Sequence, residues 1–247
     1  MSGFREHRIG TAGRWLAAAV GLAAASYAVY VATAWFRYGK PTPRPDDDDH
    51  DVLLDQFMPA YDVAERHHVS VDAPAAVTFQ AASDMYLERS GIVRTIFKAR
   101  EWIMRSHTVR EPEACGFLEQ MRAIGWGVLA EVPGREIVMG AVTRPWMADV
   151  VFRPLPPDEF AAFAEPDYVK IAWTLRADPI GTAGSIFRTE TRVVTTDRAA
   201  RTKFRRYWAF ASPGIILIRW ASLGPLKAEA ERQSRAVQGS PTAEAAS

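Results

Sequence analysis

The sequence predicts an α+β domain preceded by one transmembrane helix, and three observations lead to this fold class. A stretch of 22 residues near the N-terminus carries no formal charge, several segments between residues 126 and 196 alternate apolar and polar side chains, and the C-terminal part has a long amphipathic helical pattern. The predicted divisions are an N-terminal flank (1–14), the transmembrane helix (15–36), a Pro/Asp-rich linker (37–57), the folded domain (58–232) and a disordered tail (233–247).

The uncharged stretch, residues 15–36, is long enough to cross a membrane. At about 1.5 Å per helical residue it reaches roughly 33 Å, compared with about 30 Å of bilayer hydrocarbon. Trp15 at one end and Trp35 at the other are typical of the aromatic belts at the two membrane interfaces. A retained single-pass anchor in the cell membrane is therefore expected. The side on which the domain lies stays open because basic residues flank both ends. A cleavable signal peptide ending near Ala34 and a buried core helix of a soluble domain are the alternatives.

The composition excludes several classes of function. With 30 Lys+Arg against 29 Asp+Glu, the chain lacks the basic excess that nucleic-acid binding uses, so nucleic acid is not an expected partner. A single cysteine, Cys115, excludes an intrachain disulfide and every Cys-based zinc cluster. Because no phosphate-binding glycine loop, serine elbow or metalloprotease motif is present, we predict no catalytic residue, no cofactor and no metal site.

The linker is predicted to be a solvated spacer. Its prolines favour extended geometry, and the aspartates at positions 46–49 repel one another. These aspartates together with His50 could in principle bind a hard cation, but consecutive residues on a flexible segment converge only at a large entropic cost.

The folded domain is predicted to open with a strand at residues 61–72, which Ala73-Pro74 ends, and to continue with helices at 74–82, 91–104 and 112–124. Strands are predicted at 126–132, 136–143, 168–177 and 185–196, with a possible further strand at 148–153 and a short helix at about 158–163.

The last predicted element is a long helix over about residues 198–231, with a buried apolar face. Pro213-Gly214 should kink or break it after Ser212. A second membrane span and an interfacial helix resting on lipid are the alternatives for residues 207–218, although twelve apolar residues are too few to cross the hydrocarbon.

Local motifs give a family resemblance over roughly residues 60–232. They are the opening strand with Ala73-Pro74, the helix start Ala75-Ala76-Val77-Thr78-Phe79, the stretch GSIFRTETR from Gly184 and the segment FRRYW from Phe204. These motifs and the order of elements resemble the START and polyketide cyclase/dehydrase superfamily, known as SRPBCC. The resemblance implies a helix-grip fold, in which a strongly curved antiparallel sheet holds the C-terminal helix and leaves an apolar cavity for a hydrophobic small molecule.

On this basis we expect a membrane-anchored, non-catalytic binding domain for a membrane lipid or other hydrophobic metabolite, with the oligomeric state left open. The residues predicted to line the cavity are Ile171, Trp173, Thr191, Trp208 and Ile215. Two alternatives stay open: a cyclase or dehydratase type of enzyme on the same scaffold, with Glu190, Asp149 or His67 as the polar residue to test, and a scaffold that binds a partner protein.

Overall fold

Five antiparallel strands form one sheet in the computed structural model of the chain, which describes residues 11–40, 50–85 and 116–239. The strands lie in the order β1-β5-β4-β3-β2, so the first strand pairs with the last. They are β1 (Val63–Val71), β2 (Gly127–Val132), β3 (Glu136–Thr143), β4 (Val169–Ile180) and β5 (Gly184–Thr195). Gly134 and Gly181 adopt φ values of +69° and +61° in the β2–β3 and β4–β5 turns, where glycine avoids the strain that a side chain would cause.

Six helices accompany the sheet in the described residues. They are α1 (Thr11–Arg37), α2 (Val52–Asp55), α3 (Ala75–Ser83), α4 (Phe117–Ala123), α5 (Pro157–Ala162) and α6 (Arg198–Gly239). The predicted α+β class and the predicted long closing helix are therefore confirmed. The predicted helix at 91–104 and the first residues of the one at 112–124 lie outside the described residues.

The sheet has two covered faces, which we call inner and outer. Odd-numbered residues of β1, β4 and β5 point to the inner face, where Trp173 and Leu175 pack with Phe79 of α3 and Leu226 of α6. Even-numbered residues of β3 and β4 point to the outer face, where Val138, Val142 and Ala172 pack with Leu54 of α2 and Phe160 of α5.

Three predicted features differ from the structure. The possible strand at 148–153 is reduced to one bridge between Val142 and Arg153, because prolines at 145 and 154 limit ladder pairing on both sides. Helix α6 continues through Pro213 and Pro225 instead of breaking after Ser212. Packing of Trp208 before and Leu226 after this point holds both halves against the inner face. The helix also extends to Gly239, into the segment predicted to be a disordered tail.

The end of the predicted linker is part of the folded domain. Asp51 caps α2 by accepting a hydrogen bond of 2.8 Å from the backbone N–H of Leu54, and the side chains of Leu54 and Met58 are buried. Residues 50–57 are thus not a solvated spacer, because their apolar side chains cover the outer face.

Two helices are long and apolar enough to cross a membrane, at Gly13–Arg37 and Arg198–Gln238. None of the apolar window in the first is buried, which makes the N-terminal apolar helix a candidate span. The second packs against the inner face through Phe204, Trp208 and Leu226, while 17% of its apolar window is buried. Length and composition alone are a weak criterion, which a signal sequence also satisfies.

Candidate functional site

The five residues predicted to line a cavity lie at the interface between the inner face and α6. Ile171 and Trp173 are on β4, and Trp173 is directly opposite Thr191 of β5 in the strand register. Trp208 and Ile215 are on α6 and belong to one apolar cluster with Ile171 at its edge. The sequence pattern therefore placed residues from three elements on one interface.

Trp173 and Trp208 each pack against other aromatic rings. Trp173 contacts Phe117 and Trp126, with ring centroids 5.4 and 5.8 Å apart, and Trp208 stacks on Phe204 at 5.9 Å. A cavity of about 300 Å³ opens on the outer face and touches neither of them. The lining role of Trp173 and Trp208 therefore stays a prediction.

A group of polar side chains lies at the same interface, and we call it the inner polar cluster. It consists of Glu65 and His67 of β1, Thr189 and Thr191 of β5, and Arg219 of α6. Glu65 is directly opposite Thr191 and His67 is directly opposite Thr189, so the four strand residues form a compact block on one face. Arg219 closes the cluster from the helix, because its Nη1 donates a hydrogen bond of 3.2 Å to Oγ1 of Thr189.

Two atoms of the inner polar cluster are buried without a hydrogen-bond partner among the described residues. They are Oγ1 of Thr191 and Nε2 of His67. Leaving a buried polar group unpaired costs about 1–3 kcal/mol, and such groups are rare in native proteins unless a water, ion or ligand satisfies them. The cluster thus has hydrogen-bonding capacity that the described side chains do not use.

Burial shifts the pKa values of two side chains in the inner polar cluster. It raises the pKa of the Glu65 carboxyl, while the positive charges of Arg219, Arg37 and Arg66 oppose that rise. Burial also lowers the pKa of His67, and the Arg219 charge lowers it further. His67 is therefore neutral at pH 7, with one ring nitrogen able to accept a hydrogen bond and the other able to donate one.

This arrangement can hold the polar end of an amphipathic molecule. Arg219 supplies a positive charge, Thr191 supplies a hydroxyl, and neutral His67 either donates or accepts. The neighbouring side chains, Trp173, Ile171 and Phe187, are apolar and form the wall along which a hydrocarbon part would lie. A few polar groups in an otherwise apolar surround are typical of small-molecule sites.

Glu190, which the sequence offered as a catalytic candidate, lies on the opposite face of the sheet. Its carboxylate accepts a hydrogen bond of 2.7 Å from Arg192 Nε and pairs with Arg66 at 3.0 Å. This ion pair is buried, because Glu190 is 5% and Arg192 0% exposed. Asp149 is exposed in a loop. Of the three polar candidates, only His67 belongs to the inner polar cluster.

Sequence reasoning missed Arg219 and Glu65. The signal for Arg219 was present, because it is a lone charge within the apolar run 215–221 of a helix whose apolar face had to be buried. The signal for Glu65 was the alternation of β1, which puts a carboxylate on the same face as Val69 and Val71.

Comparison with known proteins gives matches to solved structures alone. No family model matches the chain, and no curated protein shows significant similarity to it. The aromatase/cyclase Zhui from Streptomyces sp. R1128 is 15% identical, with 71% of this chain and 98% of that chain covered and a TM-score of 0.26. Norcoclaurine synthase from Thalictrum flavum is 13% identical, with 80% and 98% covered and a TM-score of 0.28. CalU16 from Micromonospora echinospora is 14% identical, with 70% and 87% covered and a TM-score of 0.25.

The assignment of the fold rests on the chain's own topology, since these TM-scores are low. The first strand pairs with the last, short helices follow the first strand, and a long C-terminal helix packs on the inner face of the antiparallel sheet. The described residues thus have a helix-grip fold.

Proposed function

We propose that the chain is a membrane-anchored, non-catalytic binding protein for a lipid or other hydrophobic small molecule, which is held between the inner face and α6. The polar end of the ligand contacts Thr191, His67 and Arg219. Its apolar part lies along Ile171, Trp173, Trp208 and Ile215.

The observation that carries the proposal is the unused hydrogen-bonding capacity of Thr191 and His67 in an apolar interface. If the interface served only packing, valine at position 191 would fill nearly the same space without an unpaired hydroxyl. A ligand that accepts from Thr191 or donates to it removes this cost when it binds.

Hydrogen bonds join α1 to α6, the helix that carries Trp208 and Arg219. The hydroxyl of Tyr27 donates to the Phe210 carbonyl at 2.9 Å, and Arg205 donates to the Trp35 carbonyl at 2.7 and 3.0 Å. The proposed site therefore lies on a helix that packs along α1 from Tyr27 to Trp35. Tethering raises the effective concentration of the domain at a lipid surface, so a modest intrinsic affinity suffices.

The test is ligand retention by the full-length protein after mild detergent extraction, measured by native mass spectrometry and by lipid analysis of the same sample. We expect a co-purifying apolar molecule on the wild-type protein. Thr191→Val should reduce its occupancy about fivefold or more, because one hydrogen bond to the ligand is lost. Thr202→Val is the matched control, because Thr202 lies on an exposed turn of α6 and bonds only the Arg198 carbonyl among the described residues.

A wild-type protein that carries no apolar molecule and takes up none from added lipid contradicts the binding proposal. The anchor is tested separately by washing membranes at alkaline pH. We expect the full-length protein to stay in the membrane fraction, and its release, or a mature N-terminus beyond residue 36, contradicts the anchor.

A further inference from the structure

The cavity on the outer face has the features of a second ligand site, distinct from the inner interface. Its volume is about 300 Å³, and most of its wall is apolar, including Phe57 and Met58 after α2, Phe163 after α5, and Val194 of β5. A water molecule takes about 30 Å³ in the liquid, so the cavity has room for a molecule of roughly ten non-hydrogen atoms. This volume lies at the lower end of known small-molecule sites.

Lys170 brings a positive charge to this cavity. The residue is on β4, lines the cavity and is only 8% exposed. Its Nζ donates one hydrogen bond of 2.8 Å to the carbonyl of Ala161 and lies 5.1 Å from the centre of the Phe160 ring. Among the described residues no carboxylate pairs with it, and burial is the cause that lowers its pKa.

A buried ammonium without a counter-ion is costly. Lysine has three N–H donors, and the Ala161 carbonyl uses one of them. The two threonines in the same wall, Thr195 and Thr196, donate to Asp62 and to the Tyr168 carbonyl, and among the described residues neither accepts a hydrogen bond from Lys170. A ligand with an anionic group would pair with the charge and use the remaining donors, while an apolar chain would fill the rest of the cavity.

We propose that the outer cavity binds a small apolar carboxylate, with its anionic group on Lys170 and its hydrocarbon part between Phe57 and Phe163. The carboxylate chemistry is shared by free short-chain acids and by the acid end of a longer chain. The site is separate from the inner polar cluster, because Lys170 and the inner residues Ile171 and Trp173 project to opposite faces of the sheet.

The test uses the full-length protein in lipid nanodiscs and hexanoate as the probe, with heats measured by isothermal titration calorimetry and empty nanodiscs as the blank. We expect saturable hexanoate binding, and binding of the uncharged analogue hexanamide at least about tenfold weaker, because a charge-assisted hydrogen bond is lost. Lys170→Met should weaken hexanoate binding by a similar factor, and Lys170→Arg should preserve most of it.

Three further variants distinguish binding in the outer cavity from binding at the protein surface or at the inner interface. Lys203→Met removes an exposed lysine that pairs with Asp167 and should leave hexanoate binding unchanged. Ala164→Trp should block binding by filling the mouth of the cavity, whereas Thr191→Val at the inner site should not affect it. Thermal unfolding of Lys170→Met and Lys170→Arg shows whether each variant is folded.

Absence of saturable binding to the wild type overturns the proposal. So does equal binding of hexanoate and hexanamide, or unchanged hexanoate binding by a folded Lys170→Met variant. If hexanoate binding is lost with Thr191→Val and kept with Ala164→Trp, the probe occupies the inner interface, and the outer site is rejected while the proposed function stands.

Discussion

The outer and inner faces of one sheet differ in how far their buried polar groups are paired, although both faces have buried atoms without a hydrogen-bond partner among the described residues: Arg192 Nη2 and Glu136 Oε1 on the outer face, Thr191 Oγ1 and His67 Nε2 on the inner face. On the outer face, Arg192 is fully buried, pairs with Glu190 and Asp55, donates to the Met58 carbonyl at 2.7 Å and lies over the Tyr61 ring. On the inner face, Thr191, the next residue along the same strand, keeps a buried hydroxyl without a partner among the described residues. Adjacent positions of β5 thus separate a structural network from a candidate binding surface.

The outer network fastens residues 50–62 to the sheet. Arg192 binds the Asp55 carboxylate and the Met58 carbonyl. Arg176 donates a hydrogen bond of 2.8 Å to the His50 carbonyl, and Arg66 donates one of 2.7 Å to the Tyr61 hydroxyl. Each of these arginines also pairs with a carboxylate of the sheet, Glu190 or Asp178. Charges that are paired in this way serve cohesion, whereas unpaired groups in an apolar interface are open to a ligand.

Of the substitutions considered, Arg192→Met should have the largest effect on stability. The substitution leaves the buried carboxylate of Glu190 and the partly buried carboxylate of Asp55 with one partner fewer, so we expect a loss of about 3–5 kcal/mol in the free energy of unfolding. Urea denaturation of the full-length protein in detergent, followed by tryptophan fluorescence, measures it. Arg232→Met removes an exposed arginine that pairs with Glu229 within α6, and should cost less than about 1 kcal/mol. Equal losses in the two variants would show that the outer network contributes little to stability.

Glu136, on the outer face, should make the stability of the protein depend on pH. Burial, helped by the Asp51 carboxylate beside it, raises the pKa of the Glu136 carboxyl to about 8. Between the ordinary glutamate value and pH 8 the folded protein holds this proton and the unfolded chain does not, so stability falls as pH rises through this window.

Glu136→Gln should remove this fall. We expect the variant to be more stable than the wild type by about 1–2 kcal/mol at pH 8, after allowance for solvent screening. Near pH 4 the two proteins should be equally stable, because the Glu136 carboxyl of the wild type is then mostly protonated in the folded and in the unfolded chain. Urea midpoints at the two pH values measure the difference. Glu131→Gln, an exposed position on β2, is the control and should follow the wild type. A Glu136→Gln profile that falls like the wild type would contradict the assignment.

Much of the fold was predictable from the sequence because its signals are local. Alternation in the hairpins and the helical period of residues 198–231 predicted all five strands and the closing helix. The docking of residues 50–57 was not predictable. Asp51 and Asp55 follow four aspartates and look solvated. Arg192, which pairs with Asp55, lies more than 130 residues away, so only the folded chain brings these charges together.

The candidate site was half predictable for the same reason. The alternation of β4 and β5 put Ile171, Trp173 and Thr191 on the face toward α6, which followed from period two alone. The contact of Arg219 with Thr189 depends on how α6 is rotated over the sheet. That rotation is set by the packing of Trp208 and Leu226 at the two ends of the interface, and a local pattern does not encode it.

The smallest expected effect is that of Thr191→Val on the ligand-free protein. Because the hydroxyl has no partner among the described residues, its removal should leave the free energy of unfolding unchanged or raise it by up to about 1 kcal/mol. Thr189→Val is the matched variant on the same strand face, and it should lower stability by about 1 kcal/mol, because Arg219 loses its acceptor. Urea denaturation after delipidation measures both. If Thr191→Val costs as much as Thr189→Val, the Thr191 hydroxyl serves the fold, and the distinction between a cohesive outer face and a ligand-ready inner face fails at this residue.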